Sequence, residues 1–299
     1  MQKRYIGIEA GGTKFICAHG TNPTDMTDRI VIPTGNPGET MPLVLEYINS
    51  VRKQYTIDAM GLAVFGPADL NAASKTFGYI TTTPKIAWQH FDILGLLRRT
   101  TSLPVGIDLD VNASALGEQK WGAATNLSDF LYMTVGTGIG VGAIVNKQLL
   151  HGLSHPSMGH IIVRHDREND PYAGSCPYHK DCLEGLASGF AMCERWQVSH
   201  AGELDEKHKA WALEVEYLSQ AVIDYTNCFS PQRLIMGGGV MKHAQLIKRI
   251  SVGLLEYFRD FKTYPLKKDI DSYLVKPKLG DNSGFLGAFI LAEHSLTNL

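Results

Sequence analysis

Two stretches of this chain are built to one plan. YIGIEA, GGT and KFICAHG (residues 5–20) form an apolar run, a glycine turn and a second apolar run. FLYMTV, GTGIG and VGAIVN (residues 130–146) repeat that plan 125 residues later. Short apolar runs bounded by glycine read as strands, and a tight glycine-rich turn between two of them reads as a hairpin. Two such hairpins, one opening each half of the chain, point to an internal duplication.

The rest of the chain agrees with an α/β class. AMGLAVFGPADL (59–70) reads as a buried strand entering a Gly-Pro turn, and LPVGIDLDVNASALGEQKWG (103–122) as a strand whose acidic end turns into a helix. RLIMGGGVM (233–241) closes a later strand on glycines. The segment 202–229 has apolar residues at helical intervals, and its charges are expected to mark a solvated face; SGFLGAFILAEHSL (283–296) reads as a closing helix.

With 299 residues and 44% hydrophobic content the chain can bury one large core or two smaller ones. A formal charge of -2 without a dense Lys/Arg cluster argues against nucleic acid. The longest uncharged run, residues 130–146, is interrupted by glycines and threonines, so no membrane span is expected. The start, MQKRYIGIEAGG, does not resemble a secretory signal, and five cysteines make an odd count. The expected location is therefore cytoplasmic, in the reducing cytosol, where a disulfide framework is disfavoured.

Three groups of residues could carry chemistry. Glycine and threonine at 11–13, 136–140 and 237–239 would let backbone N–H groups approach an anion, although any one cluster alone could be an ordinary turn. None matches the P-loop pattern, and the turns lead into strands where a Rossmann turn needs a helix, so a nucleotide would be held by a hairpin arrangement. Asp108 and Asp110 stand two apart at a strand end, on one face if the strand stays extended. A carboxylate there could take the proton of an attacking hydroxyl; equally, Asp110 and Asn112 could cap the helix that follows. Cys176, His179 and Cys182 form C-x-x-H-x-x-C, a set suited to tetrahedral zinc. Spacing leaves the fourth ligand open among His155, His160, His165, Asp166 and Cys193. Histidines 19, 90, 151, 200, 208, 243 and 294 show no pattern and read as core or surface residues.

In this order, IGIEAGGTKF, GPADLN, ITTTPKIAW, DLDVNASALGE, GTGIGVG, GHIIVRHD, CPYHKDCLEGLASG, MGGGVM and LGDNSGFLGA resemble the bacterial ROK family of sugar kinases, and within it the zinc-containing fructokinases. The resemblance implies an actin-like, ribonuclease-H-like ATPase fold of two α/β domains with a sugar and ATP cleft between them. The expected domains are 1–115, with 284–299 packing back on it, and 116–283 with the zinc loop. It further implies ATP contacts at Gly11, Gly12, Thr13 and Lys14, at Gly136, Thr137, Gly138 and Gly140, and at Gly237, Gly238 and Gly239. Asp110 matches the catalytic aspartate, and Gly66, Pro67, Asn112, His160 and Glu184 match positions at the sugar. His160, Cys176, His179 and Cys182 match ligands of a structural zinc, while Mg2+ arrives with ATP.

The implied activity is fructokinase, with glucose or mannose as rival hexoses and a homodimer as the assembly. The family's transcriptional repressors carry a DNA reader ahead of the kinase-like region, whereas here the first strand begins by residue 5. A catalytically silent sugar-binding or sensing protein is a further alternative, which the presence of Asp110 disfavours. Two positions depart from the family pattern. Ser157 stands where the family has the glutamate of Glu-x-Gly-His, and Glu9 stands where many members have aspartate.

Overall fold

The computed structural model describes residues 2–259 and 269–297. The chain divides into two compact units. One runs from the N-terminus to Gly122 and takes in His151–His155 and the chain from Asn282 onward; the other comprises Ala123–Leu150 and Pro156–Asp281.

The first unit holds β1 (Tyr5–Ala10), β2 (Lys14–Gly20), β3 (Thr27–Pro33), α1 (Pro37–Gln54), β4 (Ala59–Val64), α2 (Ile93–Thr101), β5 (Val105–Leu109) and α3 (Asp110–Trp121). The second holds β6 (Phe130–Val135), β7 (Ile139–Val145), β8 (Gln148–Leu149), α4 (Leu183–Ala187), α5 (Gly189–Trp196), α6 (Ala210–Phe229), β9 (Arg233–Gly237), α7 (Leu246–Tyr257), α8 (Ile270–Tyr273) and β10 (Leu274–Val275). A final helix, α9 (Ser283–Thr297), returns to the first unit.

The sheet orders are β3-β2-β1-β4-β5 and β10-β9-β6-β7-β8. In each, a central strand pairs antiparallel with the next strand in sequence and parallel with a later one. Read from its other edge, β8-β7-β6-β9-β10, the second order repeats the first strand for strand, which is the duplication that the two hairpin sequences imply. A mixed α/β unit is therefore built twice along one chain, the two-domain arrangement that the family resemblance implies.

Local chemistry fixes the helix ends. Asn36 accepts the Glu39 N–H while the Glu39 carboxylate accepts the Asn36 N–H, a capping box that starts α1. Asp92 accepts the Gly95 N–H at 2.8 Å and starts α2.

Inside the first unit, Gly7, Gly61 and Gly106 are register partners across β1, β4 and β5. Helix α9 lies over this bare row so closely that a Cβ on Gly61 would overlap the Ala288 carbonyl and one on Gly106 the Leu291 carbonyl. Phe285 and Phe289 of α9 are fully buried there. Spacing identifies the helix, but its seat depends on three glycines far apart in sequence.

In the second unit, Leu131, Met133, Tyr217, Leu218, Val222, Met236, Leu254 and Phe258 build the core between sheet and helices. The expectation that charges in 202–229 are solvated fails at Glu214, which is 1% exposed. Burial pushes its carboxyl well above the usual range, since Glu214 falls on the inward stripe of α6 rather than its wet one. Among the described residues no helix is long and apolar enough to cross a membrane.

Candidate active site and metal centre

Register gathers the first unit's candidates. Ala10, Val64 and Leu109 close β1, β4 and β5 on one row of the sheet. The Gly11–Lys14 turn, the Gly66–Pro67 peptide and Asp110 therefore all leave the sheet at its carboxyl edge, where open α/β sheets bind ligands.

The Gly11 N–H donates to the Lys14 carbonyl at 3.0 Å and closes the first hairpin, and Thr34 Oγ donates to the Gly11 carbonyl at 2.8 Å. Gly12, Thr13 and the exposed Lys14 form the tip. Beside that tip stands a second lysine that sequence reasoning passed over: Lys85 Cε lies 3.6 Å from where a Gly12 Cβ would be.

The two aspartates differ in surroundings. Strand β5 stops at Leu109, so Asp110 opens α3 and does not share an extended face with Asp108. Nor is Asp110 the cap, because Leu109 occupies that position without a side-chain bond. One Asp110 oxygen accepts the Val111 N–H at 2.7 Å, and burial pushes its carboxyl up to about 6, against the opposing pull of that backbone bond. A carboxyl near neutrality is suited to taking and returning a proton.

Asp108 is 5% exposed and multiply held. One oxygen accepts the Leu109 N–H and the Asn112 amide, each at 2.7 Å, and the other lies 2.9 Å from His151 Nε2. Because the Asn112 Nδ2 faces Asp108, its carbonyl oxygen is the end turned away. His151 is a surface residue, as the sequence suggests, and its pairing with Asp108 adds a contact that the sequence does not show. No spacing signal could have found it, since the partners are 43 positions apart.

In the second unit the other two glycine clusters meet. Gly237 pairs with Thr134 in the sheet, and Gly238, at φ +97°, lies against the Val135 backbone one residue before Gly136. Gly136 faces open space, as does Gly239. The 136–140 turn is held from outside its own hairpin. Gly189 N–H donates to the Gly136 carbonyl at 2.7 Å, Phe190 N–H to the Thr137 carbonyl at 3.3 Å, and Ile139 N–H to Glu184 Oε2 at 2.9 Å.

Glu184 also faces the metal-type cluster. Its Oε1 lies 3.8 Å from His160 Nε2, while the His160 Nδ1 is 3.7 Å from Cys176 Sγ and 3.5 Å from Cys182 Sγ. His179 Nδ1 is 3.7 Å from Cys176 Sγ, and all four ligand atoms lie within 4.8 Å of one another. Tetrahedral zinc with Zn–S of about 2.3 Å and Zn–N of about 2.0–2.1 Å requires S···N edges of roughly 3.6 Å. The donor set fits such a cation, and no fifth group of the protein is needed. Both cysteines are buried, and burial, with the Cys176 thiol beside it, pushes Cys182 up to about 12, so a cation would have to draw that proton off. Of the candidates that spacing left open, His160 joins the cluster, whereas His165 pairs with Asp181 and Asp170.

Ser157 is exposed and precedes the turn Met158–His160; its carbonyl accepts the His160 N–H at 2.9 Å and its side chain makes no cap bond. Met158, next to it, is anchored by a 2.6 Å bond from Tyr225 Oη to its carbonyl. The backbone at 157–160 is thus fixed while the side chain at 157 is free to be short.

Comparison with known proteins gives a consistent picture. A Bacillus subtilis (strain 168) protein provisionally named a fructokinase is 44% identical over 97% of this chain and 95% of its own length. The fructokinase of Pediococcus pentosaceus is 38% identical over 97% and 98% of the two chains. A crystal structure of a ROK hexokinase from Thermus thermophilus superposes with a TM-score of 0.73 at 25% identity, covering 99% of this chain and 100% of that one. The ROK family model matches residues 5–295, nearly from end to end, and the chain belongs to the ROK family.

Proposed function

We propose that the protein is an ATP-dependent hexose kinase that converts D-fructose to fructose 6-phosphate, with Asp110 as general base. The observation that carries the reading is Asp110 itself: a carboxyl at the carboxyl edge of a parallel strand, raised to about 6, in a chain of this family. Phosphoryl transfer demands positioning and charge neutralisation more than covalent work by the protein. Asp110 accepts the proton of the attacking sugar hydroxyl. Asn112, its amide oriented by Asp108, offers its carbonyl oxygen to a second hydroxyl. Gly66 and Pro67 in the first unit, and His160 and Glu184 in the second, are the other residues that this reading assigns to the sugar. The turns at 11–14, 136–140 and 237–239 receive ATP in this reading, apart from the Gly11, Gly136 and Ile139 N–H groups, which are already bound within the protein, with Lys14 and Lys85 adding positive charge near the first turn.

Mg2+ bound to ATP would supply charge neutralisation at the phosphates. His160, Cys176, His179 and Cys182 would hold zinc, and four protein ligands leave it no open position, so its part is structural. A homodimer in the cytoplasm is the working assembly of this reading.

The alternative with an observation behind it is another hexose. Ser157 leaves short and neutral a position where the family has a carboxylate, so glucose or mannose could be the better substrate. ATP consumption measured with fructose, glucose and mannose decides. Fructose turnover supports the proposal, preference for another hexose replaces the substrate, and no turnover with any of them overturns the kinase reading.

A further inference from the structure

The stretch that carries a metal ligand at one end grips a glycine turn at the other. Cys182 immediately precedes α4, and the next eight residues supply the three outside bonds to the 136–140 turn: Glu184 to Ile139, Gly189 to Gly136, Phe190 to Thr137. A second ligand reaches the same place from the opposite side. Gly159, adjacent to His160, lies so close to the Ile139 carbonyl that an added Cβ would overlap it. Ile139 is thus held through its N–H by Glu184 and packed at its carbonyl by Gly159, each within two residues of a member of the metal-type cluster.

The two arms are joined to each other at the cluster. Leu183 N–H donates to the Ile161 carbonyl at 3.0 Å, and Ile162 and Cys182 form an isolated bridge. The β6–β7 ladder ends at the Val135–Ile139 pair, so residues 136–138 lie beyond it and depend on these outside bonds. Gly136 N–H to Gly138 carbonyl, at 2.9 Å, is the turn's own bond among those the ladder does not supply.

We infer that the metal centre is a positioning device for the 136–140 turn, with Glu184 as the positioning residue that transmits it. With the cation bound, His160 and Cys182 fix the two arms, and Glu184 and Gly159 hold Ile139 between them. Without it the arms keep only the Leu183–Ile161 bond and the Ile162–Cys182 bridge between them, and the turn loses its set geometry. The nucleotide consequence rests on the kinase reading, because it needs the turn to receive phosphate; the mechanical coupling does not.

The experiment reads amide hydrogen exchange at Ile139, together with calorimetric affinity for a non-hydrolysable ATP analogue in the absence of sugar, in zinc-loaded and zinc-stripped protein. Stripping should speed Ile139 exchange by roughly tenfold or more, as expected for opening a locally held segment. The analogue should bind ~5- to 20-fold more weakly, the scale set by removing one charge-assisted hydrogen bond. Glu184→Ala should reproduce both effects with zinc still bound, and Glu184→Gln, which keeps an acceptor for the Ile139 N–H, should restore most of each. Glu184→Ala covers the case in which stripped protein unfolds. Unchanged Ile139 exchange in zinc-loaded Glu184→Ala, or in a stripped protein that keeps its fold, overturns the coupling. Faster exchange with unchanged analogue affinity supports the coupling and overturns the phosphate-binding role of the turn.

Discussion

Replacing Asp110 by Asn should make the protein more stable and far less active at once. The ordinary carboxyl value of 3.8 rises to about 6 at Asp110, chiefly through burial. At about 1.4 kcal/mol for each tenfold change in the ionisation constant, keeping this carboxylate charged in the folded protein costs about 3 kcal/mol near neutral pH. Asparagine carries no charge and its Oδ1 can still accept the Val111 N–H. The Asn variant should therefore gain up to about 3 kcal/mol at about pH 7.5, less whatever the amide loses in that bond.

The sign of the pH dependence follows from the same shift. As pH falls through about 6 the folded wild type takes up a proton that the unfolded chain refuses until about 3.8, so the wild type gains stability and the variant's lead shrinks to near zero below about pH 4. Urea unfolding of both proteins across that range is the assay, paired with turnover. Turnover in the variant should fall by ~10²–10⁴, the loss typical of a removed general base. Wild-type kcat/KM should lose activity on the acid side with an apparent pKa near 6, as the base becomes protonated. A variant less stable than wild type at neutral pH, or one with near-normal turnover, would refute the assignment.

Ser157→Glu should tighten fructose binding by ~10- to 100-fold in calorimetry, with ATP KM nearly unchanged, because a charge-assisted hydrogen bond replaces a short neutral side chain; unchanged or weaker binding would mean a pocket built around serine. One zinc per chain should co-purify, and Cys176→Ser should lower that content and the protein's resistance to urea, as metal analysis and unfolding curves would read; a zinc-free wild type would sink the ligand assignment. Gly61→Val should cost at least ~1–3 kcal/mol through overpacking, since even a Cβ there overlaps the Ala288 carbonyl of α9, and a tolerated valine would contradict that close approach.

Elements were legible where periodicity was strong and the residues local. Both hairpins, the strands at 59–64 and 233–237, and α3 and α9 lie where apolar spacing and glycine punctuation put them, whereas α6 begins at Ala210, inside the 202–229 segment whose spacing pointed to it. Residue identities at the metal-type cluster were legible because three of its members fall within seven positions, and its fourth needed the family resemblance. Less was legible where a side chain's meaning depends on what faces it. Glu214 looks like one more surface acid on a charged helix until α6 is rotated into place, and His151 has no motif at all. Asp110 was narrowed to base or cap by its neighbours; only the helix start at that very residue removes it from the cap position.

The contrast between identity and pairing has a physical origin in the sheet. Parallel strands β1, β4 and β5 share a register row at Ala10, Val64 and Leu109, so three segments separated by roughly fifty residues each must emerge side by side once the register is set. What sets that register is Gly7, Gly61 and Gly106, whose bare row accepts α9. A one-residue slip of β4 would bring a side chain into that row, and α9 could no longer seat. It would also move Gly66–Pro67 out of line with Asp110. The packing of an apolar helix thus selects the alignment of the polar strand ends, although the glycine row lies several residues back from them along each strand. The glycines read as conformational permissiveness in the sequence; their work is spatial, keeping one face of three strands flat enough that the chemistry at their ends falls into line.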